Sequence, residues 1–204
     1  MPHRSWAARL PRVYDLVMAP VNALGMSAMR ARLYDGLPRA GTGLEIGTGS
    51  GAAADALRER VAPVGIDISH GMLKRARIRE TRVRPLLAAD VLALPFASAT
   101  FDWAVASLVF CEVSDPLRGL RELHRVLRPG AALHLLEHVE PRGAVLRVGA
   151  RALTRVTGPM FGEHFDRRTH ETVEAAGFVV ERADWRVNGG VVLLVARRTE
   201  GEEP

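Results

Sequence analysis

Three glycines and a small set of carboxylates in the first half of the chain have the types and spacing to hold a polar small molecule. Leu44-Glu45-Ile46-Gly47-Thr48-Gly49-Ser50-Gly51 reads as a short buried strand entering a glycine turn, and Ala52-Ala53-Ala54-Asp55-Ala56-Leu57-Arg58 then starts a helix. Glycine is needed where the backbone takes positive φ or lies against a ligand with no room for a Cβ. A strand, such a turn and a helix N-terminus leave free N–H groups facing outward at the carboxyl edge of a sheet, where open α/β sheets bind ligands. Asp67 ends a second apolar stretch, twenty residues after Gly47. A carboxylate at a strand tip can accept two hydrogen bonds from a vicinal diol, which suits a ribose. Ile68 and Met72, apolar neighbours of that acid, can cover one face of an adenine or simply pack a helix.

The second half offers fewer polar groups. Glu112 is a lone charge in the mainly apolar run Ser107 to Val113, and a buried carboxylate is costly unless paired, so it is expected to face a cleft. His138 follows the apolar strand Ala132 to Leu136, and its ordinary pKa suits proton removal near neutrality. Cys111 is read as packing, while His124 and His134 are read as surface or core residues. No His/Cys/Asp group has metal-ligand spacing, and neither a G-x-S-x-G elbow nor a Walker motif occurs.

The elements that must carry these residues alternate. Helical spacing over residues 1 to about 18 and again from Pro20 to Gly36 precedes the first strand. Strands follow at Val61–Ser69, Pro85–Ala89, Trp103–Ser107 and Ala132–Leu136, separated by helices at Gly71–Arg79, N-capped by Ser69, and after Asp115-Pro116. Pro141 to Thr157 reads as an amphipathic helix, then a Gly/Pro turn leads to His164-Phe165 and a short helix from Asp166 to Ala176. Phe178–Trp185 and Val191–Ala196 read as a closing hairpin over Asn188-Gly189-Gly190.

Composition narrows the class. The 204 residues, 48% of them apolar, suit one globular domain, and no apolar run is long enough for a membrane span. The N-terminus lacks the apolar core of a secretory signal and the chain has one cysteine, so a cytoplasmic protein is expected. The net charge is +5, and Lys74 is the only lysine among the basic residues. Arginines gather at Arg75, Arg77 and Arg79, at Arg82 and Arg84, and at Arg118, Arg121, Arg125 and Arg128. Acids interspersed among them favour solvated helix faces, with contact to an anionic membrane surface as the functional alternative. No aromatics interleave with them, so nucleic acid is not an expected partner.

The turn also fits the dinucleotide pattern G-x-G-x-x-A loosely, through Gly47, Gly49 and Ala52. Glu45 and the third glycine at Gly51 make it E-x-G-x-G-x-G, which resembles motif I of the class I S-adenosylmethionine-dependent methyltransferases. Leu92 to Asp102 resembles that family's L-P-F-x-x-x-x-F-D stretch, and Glu122-Leu123-His124-Arg125-Val126-Leu127-Arg128-Pro129-Gly130 its E-x-x-R-V-L-x-P-G stretch. Ser107 to Val113 resembles S-x-V-x-x-x-V of the type-11 group, Tyr14-Asp15 resembles the Tyr-Asp pair of quinone- and phospholipid-type members, and Leu136-Glu137-His138 resembles the thiol- and phospholipid-type branch.

The resemblance covers roughly residues 10 to 198 and implies a Rossmann-like α/β fold. The expected sheet has seven strands, mostly parallel with an antiparallel last strand, with helices on both faces. Residues 1–38 would form a helical lid, 39–198 the cofactor-binding core and 199–204 a tail. It implies S-adenosylmethionine as cofactor, held by Glu45, Gly47, Thr48, Gly49, Gly51, Asp67, Ile68, Met72, Asp90, Val91 and Ser107. Asp90 would accept from the adenine amino group, with a plain turn-forming role as its alternative. Tyr14 and His138 are the catalytic candidates, and Glu112, His164 and Phe165 the candidates for a wall around a small-molecule or lipid-like acceptor. An NAD(P)-dependent oxidoreductase, or a non-catalytic protein that binds S-adenosylmethionine or docks on a membrane, remain the alternatives. Acceptor and oligomeric state stay open.

Overall fold

The computed structural model describes residues 25–51, 63–79, 84–161 and 164–199, with residues 157 and 159–161 by backbone alone. The expected first helix with Tyr14, most of the lid, the helix after Gly51 and the tail beyond residue 199 lie outside the described residues.

The central apolar runs become strands buried on both sides, while the edge runs are partly exposed. β1 (Gly43–Ile46), β2 (Val64–Asp67), β3 (Leu86–Ala88), β4 (Phe101–Ser107), β5 (Leu127–His138), β6 (Phe178–Arg186) and β7 (Val191–Arg198) form one sheet in the order β3-β2-β1-β4-β5-β7-β6. The first five pair in parallel, while β7 inserts antiparallel between β5 and β6. This is the expected seven-stranded Rossmann-like sheet. The described helices are α1 (Ser27–Asp35), α2 (His70–Arg79), α3 (Pro116–Val126), α4 (Ala144–Phe161) and α5 (Thr169–Ala175).

Alternation along β4 divides the core into two layers. Ala104 and Ala106 face one side, with Leu120, Leu123 and Val126 of α3 and Val173 of α5. Trp103 and Val105 face the other, with Met26, Leu33, Tyr34 and Leu37 in and around α1. Side chains that alternate with period two on a sheet covered on both faces give this split.

Caps and staples set where elements begin. Ser69 Oγ accepts the Met72 N–H at the start of α2. Asp115 accepts the Arg118 N–H with Pro116 in the first turn of α3. The Glu122/Arg125 pair explains why the E-x-x-R and L-P-F stretches occur together. Arg125 donates to the carbonyls of Leu94 and Phe96 at 3.0 and 2.8 Å, and Glu122 accepts the Leu94 N–H at 2.8 Å. One helix turn thus holds the loop that leads into β4.

Two elements differ from expectation. β5 begins at Leu127, before Pro129-Gly130, because Leu127 pairs with Phe101 and the register then jumps to Trp103–Ala132, so the intervening residues form a bulge. α4 runs to Phe161 through Gly158 and Pro159, where a turn was expected. Its inward ridge is Ala150, Thr154 and Gly158, while Val145, Val148 and Val156 are exposed. Thr154 Oγ1 takes the Phe165 N–H at 2.9 Å, a polar tie that an inward valine would not make.

Candidate active site

The parallel strands bring the candidate residues into one row along the carboxyl edge. Asp90 lies just beyond β3, Asp67 ends β2, Gly47 follows β1, Ser107 ends β4 and His138 ends β5. Three strand spacings separate the tips of β2 and β5, roughly 14 Å.

The turn at the centre of the row is shaped by close approach. A Cβ on Gly47 would lie 2.4 Å from Val109 Cγ2, and Gly47 has φ +66. Gly49, at φ +58, has only the Gly47 carbonyl within 4 Å of a Cβ among the described residues. Its N–H donates to Asp67 Oδ2 at 2.9 Å, while Asp67 Oδ1 accepts from the Ser69 N–H at 2.8 Å. The outward amide and the strand-tip carboxylate are therefore neighbours. Burial pushes the Asp67 carboxyl above its ordinary pKa, against the pull of those two N–H groups and with a further push from Glu45. Ile68, beside it, is 39% exposed.

Several of the expected ligand residues are buried beneath the row. Glu45 is buried: Oε1 accepts from Tyr34 Oη at 2.7 Å, and Oε2 from Arg84 at 2.6 Å and Thr48 Oγ1 at 3.1 Å. This carboxylate holds the turn to α1 and to the segment before β3. Burial, then the charge of Glu45, drives the Tyr34 hydroxyl well above its usual pKa, so it stays a donor. Arg84, read as part of a solvated cluster, is buried in this ion pair. Thr48 and Gly51 are buried, and a Cβ on Gly51 would meet Ala76 at 3.1 Å. Met72 is buried in α2, so helix packing accounts for it. Val91 belongs to the core cluster packed by Gly119.

Asp90 combines its two readings. Oδ1 closes a turn on the Leu92 N–H at 2.9 Å, and its carbonyl takes the Ala93 N–H. Its second oxygen has no protein hydrogen bond among the described residues.

Past β4 the chain is held in an uncommon shape. Leu108 has φ +58, a left-handed conformation that costs a non-glycine residue on the order of 1 kcal/mol. The cause sits in β5. Glu137, fully buried, accepts the Val109, Phe110 and Cys111 N–H groups at 3.0, 2.9 and 3.2 Å. Burial nevertheless raises its carboxyl to a pKa of about 7 against those donors. Sequence reasoning passed over Glu137 in favour of its neighbour. The signal was an acid inside an otherwise apolar strand. Ser107 receives a hydrogen bond from Arg30 of α1 at 3.3 Å, and Glu112 is half-buried at the end of the clamped loop.

His138 and Phe165 come together, with ring centroids 5.1 Å apart. Burial lowers the His138 pKa, so the ring is neutral at neutral pH. His164 lies beside them in the chain, its N–H on the Cys111 carbonyl at 3.0 Å, its own pKa lowered mainly by burial. Arg167, also missed, reaches from this segment to the Val113 carbonyl at 2.8 Å. The end of the clamped loop, His138 and residues 164–167 thus form one wall. Among the described residues no group of three His, Cys, Asp or Glu could hold a metal.

Residues 44–135 match a family described as a methyltransferase domain. A phosphatidylethanolamine N-methyltransferase of Cereibacter sphaeroides is 35% identical over 133 residues, which is 63% of this chain and 65% of its own length. A demethylmenaquinone methyltransferase of Corynebacterium kroppenstedtii is 38% identical over 132 residues, 63% of this chain and 56% of its own. The match thus spans less than two thirds of either relative. A solved S-adenosylmethionine-dependent methyltransferase from Thermotoga maritima shares the fold at a TM-score of 0.73 and 20% identity, over 95% of this chain and 98% of that one. Glycine turn, strand order and matched stretch coincide: residues 44–135 are similar to a methyltransferase domain, and the sheet shares the fold of a solved S-adenosylmethionine-dependent methyltransferase.

Proposed function

We propose that this protein transfers a methyl group from S-adenosylmethionine to a small-molecule or lipid-like acceptor, at the carboxyl ends of β1, β2, β4 and β5. The observation that carries the reading is the 2.9 Å contact between the Gly49 amide and the Asp67 carboxylate. A glycine turn tied directly to a strand-tip acid at the carboxyl edge of the sheet is a cradle for one nucleoside and its attached amino-acid group. Asp67 would hold the ribose hydroxyls, Ile68 would cover the adenine and the free oxygen of Asp90 would take its amino group. Gly47, Thr48, Gly49, Gly51 and Ser107 would frame the methionine end, with Glu45 fixing the turn.

When bound, the cofactor supplies an electrophilic methyl group on a sulfonium. Because that charge disappears on transfer, the protein's task is positioning, which can supply up to about 7–11 kcal/mol. The wall of Glu112, His138, His164 and Phe165 would orient the acceptor, and neutral His138 would take the proton of a phenol or thiol. Tyr14 is a second candidate base. A lipid-like acceptor, of the kind named for the relatives above, goes with peripheral membrane contact and a cytoplasmic location.

Calorimetry with S-adenosylmethionine and with NAD(P)H, followed by an acceptor screen read by S-adenosylhomocysteine release, tests the proposal. Amines, phenols, thiols, quinols and phosphatidylethanolamine are the acceptors to offer. Binding of S-adenosylmethionine with turnover of one of them is expected. Nicotinamide binding in its place overturns the reading. Asp67→Ala should weaken cofactor binding about ten- to a hundredfold, the worth of charged hydrogen bonds.

A further inference from the structure

α4 is built inside out. Its inward ridge is the small and polar set Ala150, Thr154 and Gly158, while the stripe Val145, Val148, Ala152 and Val156, at i, i+3, i+7 and i+11, faces away from the sheet. Val145, Val148 and Val156 are 85%, 68% and 60% exposed, and Leu146 and Leu153 widen the stripe. Single exposed apolar residues are ordinary, but a contiguous stripe on one helix marks a surface that meets something else.

Charge says what that is. Residues 144–161 contain no acid. Arg147, Arg151 and Arg155, spaced by four, form a row along one flank of the stripe. Arg151 is paired with Glu140, whose carboxylate also feels the charge of Arg147, while Arg155 makes no ion pair among the described residues. An apolar stripe bordered by arginines lies in the boundary between lipid headgroups and acyl chains, where anionic lipids answer the arginines. A second copy docked through the same face would bring two arginine rows together, which repel.

We infer that α4 is the membrane-docking element of this protein, seating its valine stripe in an anionic phospholipid surface with Arg147 and Arg155 on the headgroups. The inference rests on the proposed transfer to a lipid-like acceptor and adds how that acceptor is reached. Thr154, on the inward ridge, holds the Phe165 N–H, and Phe165 packs on His138. Docking α4 therefore sets the candidate acceptor wall close to the bilayer from which a lipid would enter.

Flotation of the full chain with phosphatidylcholine vesicles, with and without three parts in ten phosphatidylglycerol, tests this. Binding only to the anionic vesicles, weakened by salt, is expected. The Val148→Glu/Val156→Glu double variant should lose about tenfold or more of that binding. Arg147→Gln/Arg155→Gln should lose roughly thirtyfold together with the salt dependence. Both variants should keep the wild-type melting temperature and S-adenosylmethionine affinity, since neither pair contributes to the core or the cofactor row. Wild-type chain that stays off anionic vesicles overturns the inference while cofactor binding still stands. So does a dimer in light scattering that Val148→Glu/Val156→Glu turns into monomer without affecting vesicle binding, or binding that both double variants retain. Loss of cofactor binding in wild-type chain that still floats would instead remove the methyl-transfer reading and leave the docking surface.

Discussion

At the level of single residues, Glu137 and His138 show how adjacent positions on one strand divide the work. Glu137 points into the core and fixes the loop after β4 through three N–H groups, while His138 carries its ring to Phe165. Burial raises the Glu137 carboxyl to about 7, above its unfolded value of 4.5. Folding therefore holds a proton there that the unfolded chain releases. The stabilisation is complete below about 4.5 and lost as pH rises through about 7, a change of order 3 kcal/mol. Buried His134 works in the opposite sense. Its pKa falls to about 4, so its contribution is complete above 6.5 and lost as pH drops through about 4. The two oppose each other between 4.5 and 6.5. Glu137→Gln should abolish the loss on the alkaline side and expose the acid loss, read as denaturant midpoints from pH 4 to pH 8. A variant whose profile parallels wild type would contradict the assignment. For His138, substitution by Ala should slow transfer to a phenol or thiol by about 10²–10⁴-fold and leave transfer to an amine nearly unchanged. Equal loss for both acceptor types would make the ring a wall and not a base.

At the level of elements, polar staples decide where strands and helices sit. The buried set Tyr34, Glu45, Thr48 and Arg84 joins α1, β1 and the glycine turn to the chain entering β3. Breaking such a pair leaves an uncompensated carboxylate, so Arg84→Met should cost about 3–5 kcal/mol in chemical denaturation. Replacing Glu45 by Gln in the same chain should restore part of that loss, because the orphaned charge is then gone. Arg125 is a second staple, with two carbonyls of the Leu94–Phe96 segment on one guanidinium. Arg125→Lys should be destabilised nearly as far as Arg125→Ala, by about 1–3 kcal/mol, because an ammonium cannot reproduce the fork. Full retention of stability in the lysine variant would mean that charge alone suffices.

Across the whole molecule, the insertion of β7 between β5 and β6 closes the sheet and separates two environments. Strands β2, β1, β4, β5 and β7 lie inside the sheet with paired neighbours on both sides, whereas β3 and β6 are edges. Amide exchange should therefore be slowest in β4, β5 and β7 and fastest in β3 and β6. Edge amides as protected as those of β4 would contradict that order. The same arrangement places the polar row at one edge of the sheet while α4, outside it, turns its valines outward.

The order of elements, the glycine turn, the strand-tip acids and the antiparallel ending were legible in the sequence. Each is set by local period, by glycine geometry or by a cap, and those signals are short-range. Tertiary contact alone decided the rest. Glu45 and Asp67 are both acids at or near strand ends, yet Arg84, thirty-nine residues from Glu45, draws one into the core and leaves the other at the edge. Glu137 rather than Glu112 took the buried position because three amides from a neighbouring loop converge on it. The 3.6-residue period of α4 was plain, but which side faced inward was not. Period specifies that a helix has two faces, and only the partner on each side, here the Phe165 N–H on Thr154, determines which one turns inward.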